Sequence, residues 1–180
     1  DHERIWYRYH HLFADLLRQR LKQRNTSDHK NALKVVSEWH REQGHSEEAV
    51  AFAFATGDMS YAAEMLTPLV AELASTGRSR QVRDWLDQIP EHIITQYASL
   101  CLYYGITNIL QRRFDRVLPL LDAADQAQHG VPMGYVDMAR ALYDSVVNDG
   151  ENALETAYQV LEKLPDEAGF EKSTLWLIIS

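Results

Sequence analysis

Apolar residues recur at intervals of three and four along almost the whole chain, and no stretch shows the sustained alternation that marks a half-buried strand. This period places apolar side chains on one face of successive helices. Ten helices are predicted, at residues 9–24, 29–43, 46–56, 59–75, 79–88, 91–110, 114–128, 133–147, 151–163 and 170–180. The predicted fold class is therefore all-α.

The turns between these helices repeat a pattern. A tight turn favours a glycine that can adopt a positive φ, and the next helix needs a small residue where it crosses its neighbour. Three turns place these two positions five residues apart: Gly44 with Ala49, Gly57 with Ala62, and Gly77 with Val82. From Gly77 the later turns follow after 35 and 38 residues, close to the period of about 34 of tetratricopeptide repeats. The sequence predicts irregular hairpins followed by a tetratricopeptide-like, right-handed superhelix of helical hairpins.

Two prolines lie inside predicted helices. Pro68 and Pro119 each lack the N–H that a helix interior needs. We expect a kink or a late helix start at both positions.

The charge is unevenly distributed. The chain carries a net charge of −8, but residues 1–24 hold six Lys or Arg against three Asp or Glu, and the rest holds 12 against 23. An acidic body repels phosphate backbones. Nucleic-acid binding by this chain is therefore not expected.

The residues that could bind a metal or undergo redox chemistry form no recognisable motif in the sequence. Cys101 is the one cysteine, predicted to be a buried, reduced thiol. His11 and Asp15 share a helix face, but no third ligand accompanies them. His40 and His45 flank a turn and are predicted to be solvated. No metal site is predicted.

Catalytic motifs are missing from the sequence. Ser99, Thr107 and Ser145 have no glycine elbow beside them, and no Gly-rich phosphate loop ends in Lys-Ser or Lys-Thr. We therefore expect no catalytic residue, no cofactor within this chain and no enzyme activity. Apolar runs are also far shorter than the roughly 20 residues of a membrane span, so a cytoplasmic protein without membrane contact is predicted.

The run WYRYHHLFADLLRQRL, from Trp6 to Leu21, resembles the segment that closes the winged-helix domain of large ATP-binding LuxR-type transcriptional regulators of the maltose-regulon activator (MalT-like) type. Residues 32–55, with Trp39 and Gly44, resemble that family's next helical hairpin. Trp85-Leu86 with Ile89-Pro90 resembles its "WL..LP" element. The likeness fades to generic helical repeats after about residue 97.

This resemblance implies an internal fragment of a larger activator. Residues 1–26 would be the terminal helix of a winged-helix domain, 27–95 an irregular helical linker, and 96–180 the start of a tetratricopeptide-like sensor domain. An ATPase module with ATP or ADP would precede the fragment, and the DNA-binding domain would follow it. The implied partners are a small-molecule inducer or regulatory protein and further copies of the regulator, with DNA bound only through the separate C-terminal domain.

Aromatic residues mark the first helices of the predicted later hairpins, which line the concave surface of tetratricopeptide arrays. Tyr103, Tyr104, Tyr135 and Tyr143 are the predicted groove residues, able to stack on a sugar or hold a peptide. Tyr103 and Tyr104 are adjacent and cannot share one helix face, so at least one is expected toward a groove or rim. The alternative role for all four is core packing between hairpins.

Two other functions stay open on sequence alone. A free-standing tetratricopeptide-like adaptor would bind another protein's peptide with no ATPase attached. A helical hydrolase would lose turnover when a histidine such as His11 is replaced.

Overall fold

A computed structural model describes residues 26–127, 130–132, 134–148, 151–164 and 169–179. Every regular element within these ranges is helical, which confirms the all-α prediction. The helices are α1 Thr26–Glu42, α2 Ser46–Ala55, α3 Met59–Leu66, α4 Val70–Leu73, α5 Ser79–Leu86, α6 Glu91–Ile94, α7 Ala98–Leu110, α8 Val117–Gln126, α9 Tyr135–Val147, α10 Glu151–Lys163 and α11 Gly169–Ile179. The chain divides into two compact units, residues 1–57 and 58–180.

In the first unit, α1 and α2 form a hairpin whose turn follows the predicted glycine pattern. Gly44 has a φ of +74°, and its N–H donates to the carbonyl of Arg41 at 3.0 Å, while the N–H of His45 donates to the carbonyl of His40 at 2.9 Å. These bonds satisfy carbonyls that the end of α1 leaves open. Ala49 is fully buried, and its carbonyl accepts from the buried Ser37 hydroxyl at 2.6 Å. The small residue thus lies where the two helices approach.

Both prolines have the expected effect, a helix break at Pro68 and a late helix start at Pro119. The predicted helix 59–75 is divided around Pro68, because α3 ends at Leu66 and α4 begins at Val70. Pro119 is the third residue of α8, which begins after a short 3₁₀ helix, Phe114–Arg116. A proline there costs no hydrogen bond, since the first N–H groups of a helix have no partner within it.

The predicted single helix 91–110 is wrong: the chain forms α6 and α7 with a break at 95–97. Tyr97 takes an extended conformation, with φ −124° and ψ 107°, and its carbonyl accepts the first bond of α7 from the N–H of Cys101 at 3.1 Å. No glycine or proline lies in residues 91–97. The break lets Ile94 and Leu100, on separate helices, both be buried.

α7 is the central helix of the second unit. It contacts α4, α5, α6, α8 and α9, and α9 in turn contacts α10 and α11. Eleven of the 13 residues of α7 are buried. A Cβ on Gly105 would lie 3.0 Å from the Cδ2 of Leu121 on α8, so the absence of a side chain allows this close approach. The hairpins α7–α8 and α9–α10 therefore share a continuous core along α7 and α9.

Candidate ligand-binding groove

Tyr103 and Tyr104 lie in the middle of α7, and each ring is only 3% exposed. Both rings are buried because α7 has helical neighbours on several sides. The hydroxyl of Tyr104 nevertheless reaches the rim of the core, where it donates to Oδ1 of Asp87, whose side chain is 35% exposed. Burial, reinforced by this hydrogen bond, raises the pKa of Tyr104 to about 12. The phenol is thus a neutral donor at physiological pH.

Charged side chains surround the Tyr104–Asp87 contact. Oδ2 of Asp87 lies 3.7 Å from Nε of Arg83 and 3.6 Å from Nη1 of Arg113. The guanidinium of Arg116 lies 6.0 Å from the centroid of the Tyr104 ring and pairs with Glu91. The network connects α5, α6, α7 and the turn before α8. These hydrogen bonds and ion pairs link the neighbouring helices to one another.

Tyr135 and Tyr143 lie at the start and in the last third of α9, and both are half-buried. The Tyr143 ring meets the Phe114 ring edge to face, with centroids 6.0 Å apart and planes at 81°. Phe114 belongs to the same short 3₁₀ helix as Arg116. That turn therefore brings Tyr104 and Tyr143 into one neighbourhood, whereas Tyr135 stands at the opposite end of α9. Contact of these tyrosines with a ligand stays a prediction.

Two other aromatic residues, further along the chain, are exposed. Tyr158 on α10 and Trp176 on α11 are each 54% exposed. Tyr158 was not among the predicted groove residues, although its position four residues after the exposed Leu154 places the two on one face of α10. The periodicity of α10 could have identified it.

Of the two histidines predicted to be solvated, His45 is exposed, whereas His40 is partly buried and packs among aromatic rings. His40 stacks on Phe52, with centroids 5.2 Å apart and planes at 14°, and lies 4.9 Å from Trp39 and 5.7 Å from His45. Nδ1 of His40 is buried without a hydrogen-bond partner. The expectation of a solvated His40 is wrong because the turn at Gly44 folds α2, and with it Phe52, against the end of α1.

Cys101 is buried and free, as predicted. Its Sγ donates to the carbonyl of Ile94 at 3.3 Å, and burial raises the pKa of the thiol to about 11. The group is therefore protonated at neutral pH and a poor nucleophile.

The other residues considered for chemistry are dispersed. The hydroxyls of Thr107 and Ser145 donate to carbonyls of their own helices, those of Tyr104 and Leu142. Within the described ranges no three His, Cys, Asp or Glu side chains come close enough to hold a metal ion. His11 and Asp15 lie outside the described residues.

No helix in the described part of the chain is both long and apolar enough to cross a lipid bilayer.

Comparison with known proteins gives two kinds of match. Residues 1–29 match the family model of the MalT winged helix domain. The chain is also 28% identical over 108 residues to the serine/threonine-protein kinase PknK of Mycobacterium tuberculosis and of Mycobacterium bovis. These 108 residues are 60% of this chain but only 10% of the kinase. No solved structure matches the chain significantly.

The family match supports the resemblance to MalT-like regulators at the start of the chain. The match to the kinase, which covers a small share of that protein's length, suggests a regulator-like context. Together with the helical fold, these findings agree with the prediction of a regulator-like protein.

Proposed function

We propose that this chain is the linker and signal-sensing segment of a larger, ATP-dependent LuxR-type transcriptional activator. The observation that carries the proposal is the winged-helix match at residues 1–29, which extends into the start of α1 and is combined in one chain with the helices of both units. ATP hydrolysis and DNA binding are assigned to other domains of the cytoplasmic parent protein. The segment itself performs no catalysis.

The segment would act by coupling. An inducer or regulatory protein that binds one arrangement of the helices more tightly shifts the population toward it, by no more than its difference in affinity for the two states. Stacked hairpins suit this role, since a change at one hairpin alters the surface offered to the next. Self-association of the activator would then be the output of the shift.

The proposal is tested on the full-length protein from which the chain derives. Its gene should encode a Walker-type loop before this chain and a helix-turn-helix after it. Analytical ultracentrifugation of the full-length protein should detect self-association in the presence of ATP. A gene without an ATPase module would contradict the proposal and favour the free-standing adaptor.

A second candidate is a regulatory segment of a kinase-containing signalling protein. The match to a protein named as a serine/threonine kinase favours it. A kinase domain encoded in the same gene would support this candidate over the transcriptional activator.

A further inference from the structure

A surface cleft of about 490 Å³ lies in the second unit between the start of α5 and the end of α7. Its walls are Ser79, Arg80, Arg83, Thr107, Leu110 and Gln111. The volume falls in the range of about 300–1,000 Å³ that is typical of small-molecule sites. Its lining differs from the usual apolar pocket, because two arginines, a serine, a threonine and a glutamine line it beside a single aliphatic residue. Such a lining favours a polar, negatively charged ligand.

The surroundings of the cleft are basic although the chain is acidic. Residues 78–87 and 111–116 together hold six arginines and three aspartates, whereas the whole chain has a net charge of −8. A hydrogen bond from Arg83 to Gln111 and the pair between Arg113 and Asp87 hold the two segments together. The fold therefore brings together two arginine-containing segments that are about 30 residues apart in sequence.

The two arginines that line the cleft differ in how many neighbouring side chains hold them in place. Arg83 is fixed by Asp84, Asp87 and Gln111. Arg80 is exposed, and within the described part of the chain it has no ion pair or hydrogen bond. Because two aspartates already pair with Arg83, the unpaired positive charge that the cleft presents to an incoming anion is that of Arg80, which loses side-chain entropy when it binds.

We propose that this cleft binds the phosphate group of a small phosphorylated metabolite. Guanidinium groups bind phosphate oxygens through paired hydrogen bonds, and Arg80 can donate such a pair to an anion in the cleft. The hydroxyl of Ser79 and the amide N–H groups of Gln111 can bind polar groups on the rest of the ligand. The site is independent of the proposed sensing role, because it follows from the cleft and its charges alone.

The first test measures binding to the 180-residue chain by isothermal titration calorimetry at constant ionic strength. Inorganic phosphate and ribose 5-phosphate are the probes, with ribose and acetate as controls. We expect saturable binding of ribose 5-phosphate at one site, weaker binding of inorganic phosphate, and no binding of ribose or acetate. Absence of saturable binding of both phosphate probes would overturn the proposal.

The second test separates the site from general charge. Arg80→Ala should weaken the binding of ribose 5-phosphate by about tenfold, because it removes one bidentate partner. Arg78→Ala is the matched control: it removes the same charge two residues away, but Arg78 does not line the cleft, and its Nη1 donates to Thr76 at 3.0 Å. The control should weaken binding less than twofold. Equal losses in the two variants would contradict a built site.

The third test adds a negative charge without removing a contact. Gln111→Glu keeps an acceptor for Arg83 and places a carboxylate in the cleft. Binding of ribose 5-phosphate should be lost while the melting temperature stays the same or rises. Unchanged binding would place the phosphate elsewhere. Failure of these tests leaves the ATP-dependent self-association of the full-length protein unaffected, so the two proposals can fail separately.

Discussion

At the scale of single residues, the structure explains why the burial and the hydrogen bond of Tyr104 cannot be predicted from sequence. Its ring is as buried as a core aliphatic residue, yet its hydroxyl reaches Asp87 at the rim. The sequence indicates an aromatic residue in a helix, but not which neighbours surround that helix. Asp87 lies 17 residues away, and only the packing of α5 against α7 brings it within reach.

The Tyr104 hydroxyl makes a testable contribution to stability. Tyr104→Phe keeps the ring and removes one donor to a partly exposed carboxylate, so urea unfolding at pH 8 should show a loss of roughly 1 kcal/mol. Tyr143→Phe is the control: the Phe114 contact depends on the ring alone, so the change should be close to zero. A loss in the control as large as in Tyr104→Phe would contradict a specific role for the Asp87 bond.

The same residue predicts a pH dependence. The pKa of Tyr104 is raised from 10 to about 12 in the folded state, so the unfolded chain releases this proton first. The contribution of the neutral phenol is complete below pH 10 and is lost as the pH rises toward 12. The free energy of unfolding should fall more steeply over this range in the wild type than in Tyr104→Phe. Cys101 is present in both proteins and cancels in the comparison, and equal slopes would contradict the prediction.

At the scale of helices, helical periodicity located most of the helices but not every break between them. The break around Pro68 and the late start of α8 before Pro119 were predicted because proline removes a backbone donor. The break at 95–97 contains neither proline nor glycine, and Ile94 and Leu100, on the two helices that it separates, are both buried. Such a break depends on tertiary contacts, which local sequence does not specify.

Helix α8 offers a matched pair of substitutions. Leu121 is fully buried against α7, whereas Leu118 on the same helix is 40% exposed. Leu121→Ala should lower the free energy of unfolding by roughly 2–5 kcal/mol through the cavity it leaves. Leu118→Ala should cost less than about 1 kcal/mol, since little of its surface is removed from water. Equal costs by chemical denaturation would mean that α8 packs with a different face.

At the scale of the whole molecule, net charge predicts how the chain behaves toward nucleic acid. With a net charge of −8, the chain should not shift duplex DNA in a gel at 50 mM salt. Its circular dichroism spectrum should be that of an almost entirely helical protein. Tight binding that weakens steeply with added salt would show that the local basic segments outweigh the acidic body. A matched titration with single-stranded DNA is the control for an effect of duplex shape.

Sequence by itself determined that this protein is all-α, where most helices lie, and that its start resembles a MalT-like winged-helix end. Those properties depend on local periodicity, on turn residues such as Gly44 and on a contiguous motif. The tertiary structure decided that Tyr103 and Tyr104 are buried, that His40 stacks on Phe52, and that Arg80 and Gln111 line one cleft. These properties depend on which helices become neighbours, and a neighbour distant in sequence leaves no signal in the periodicity of either helix.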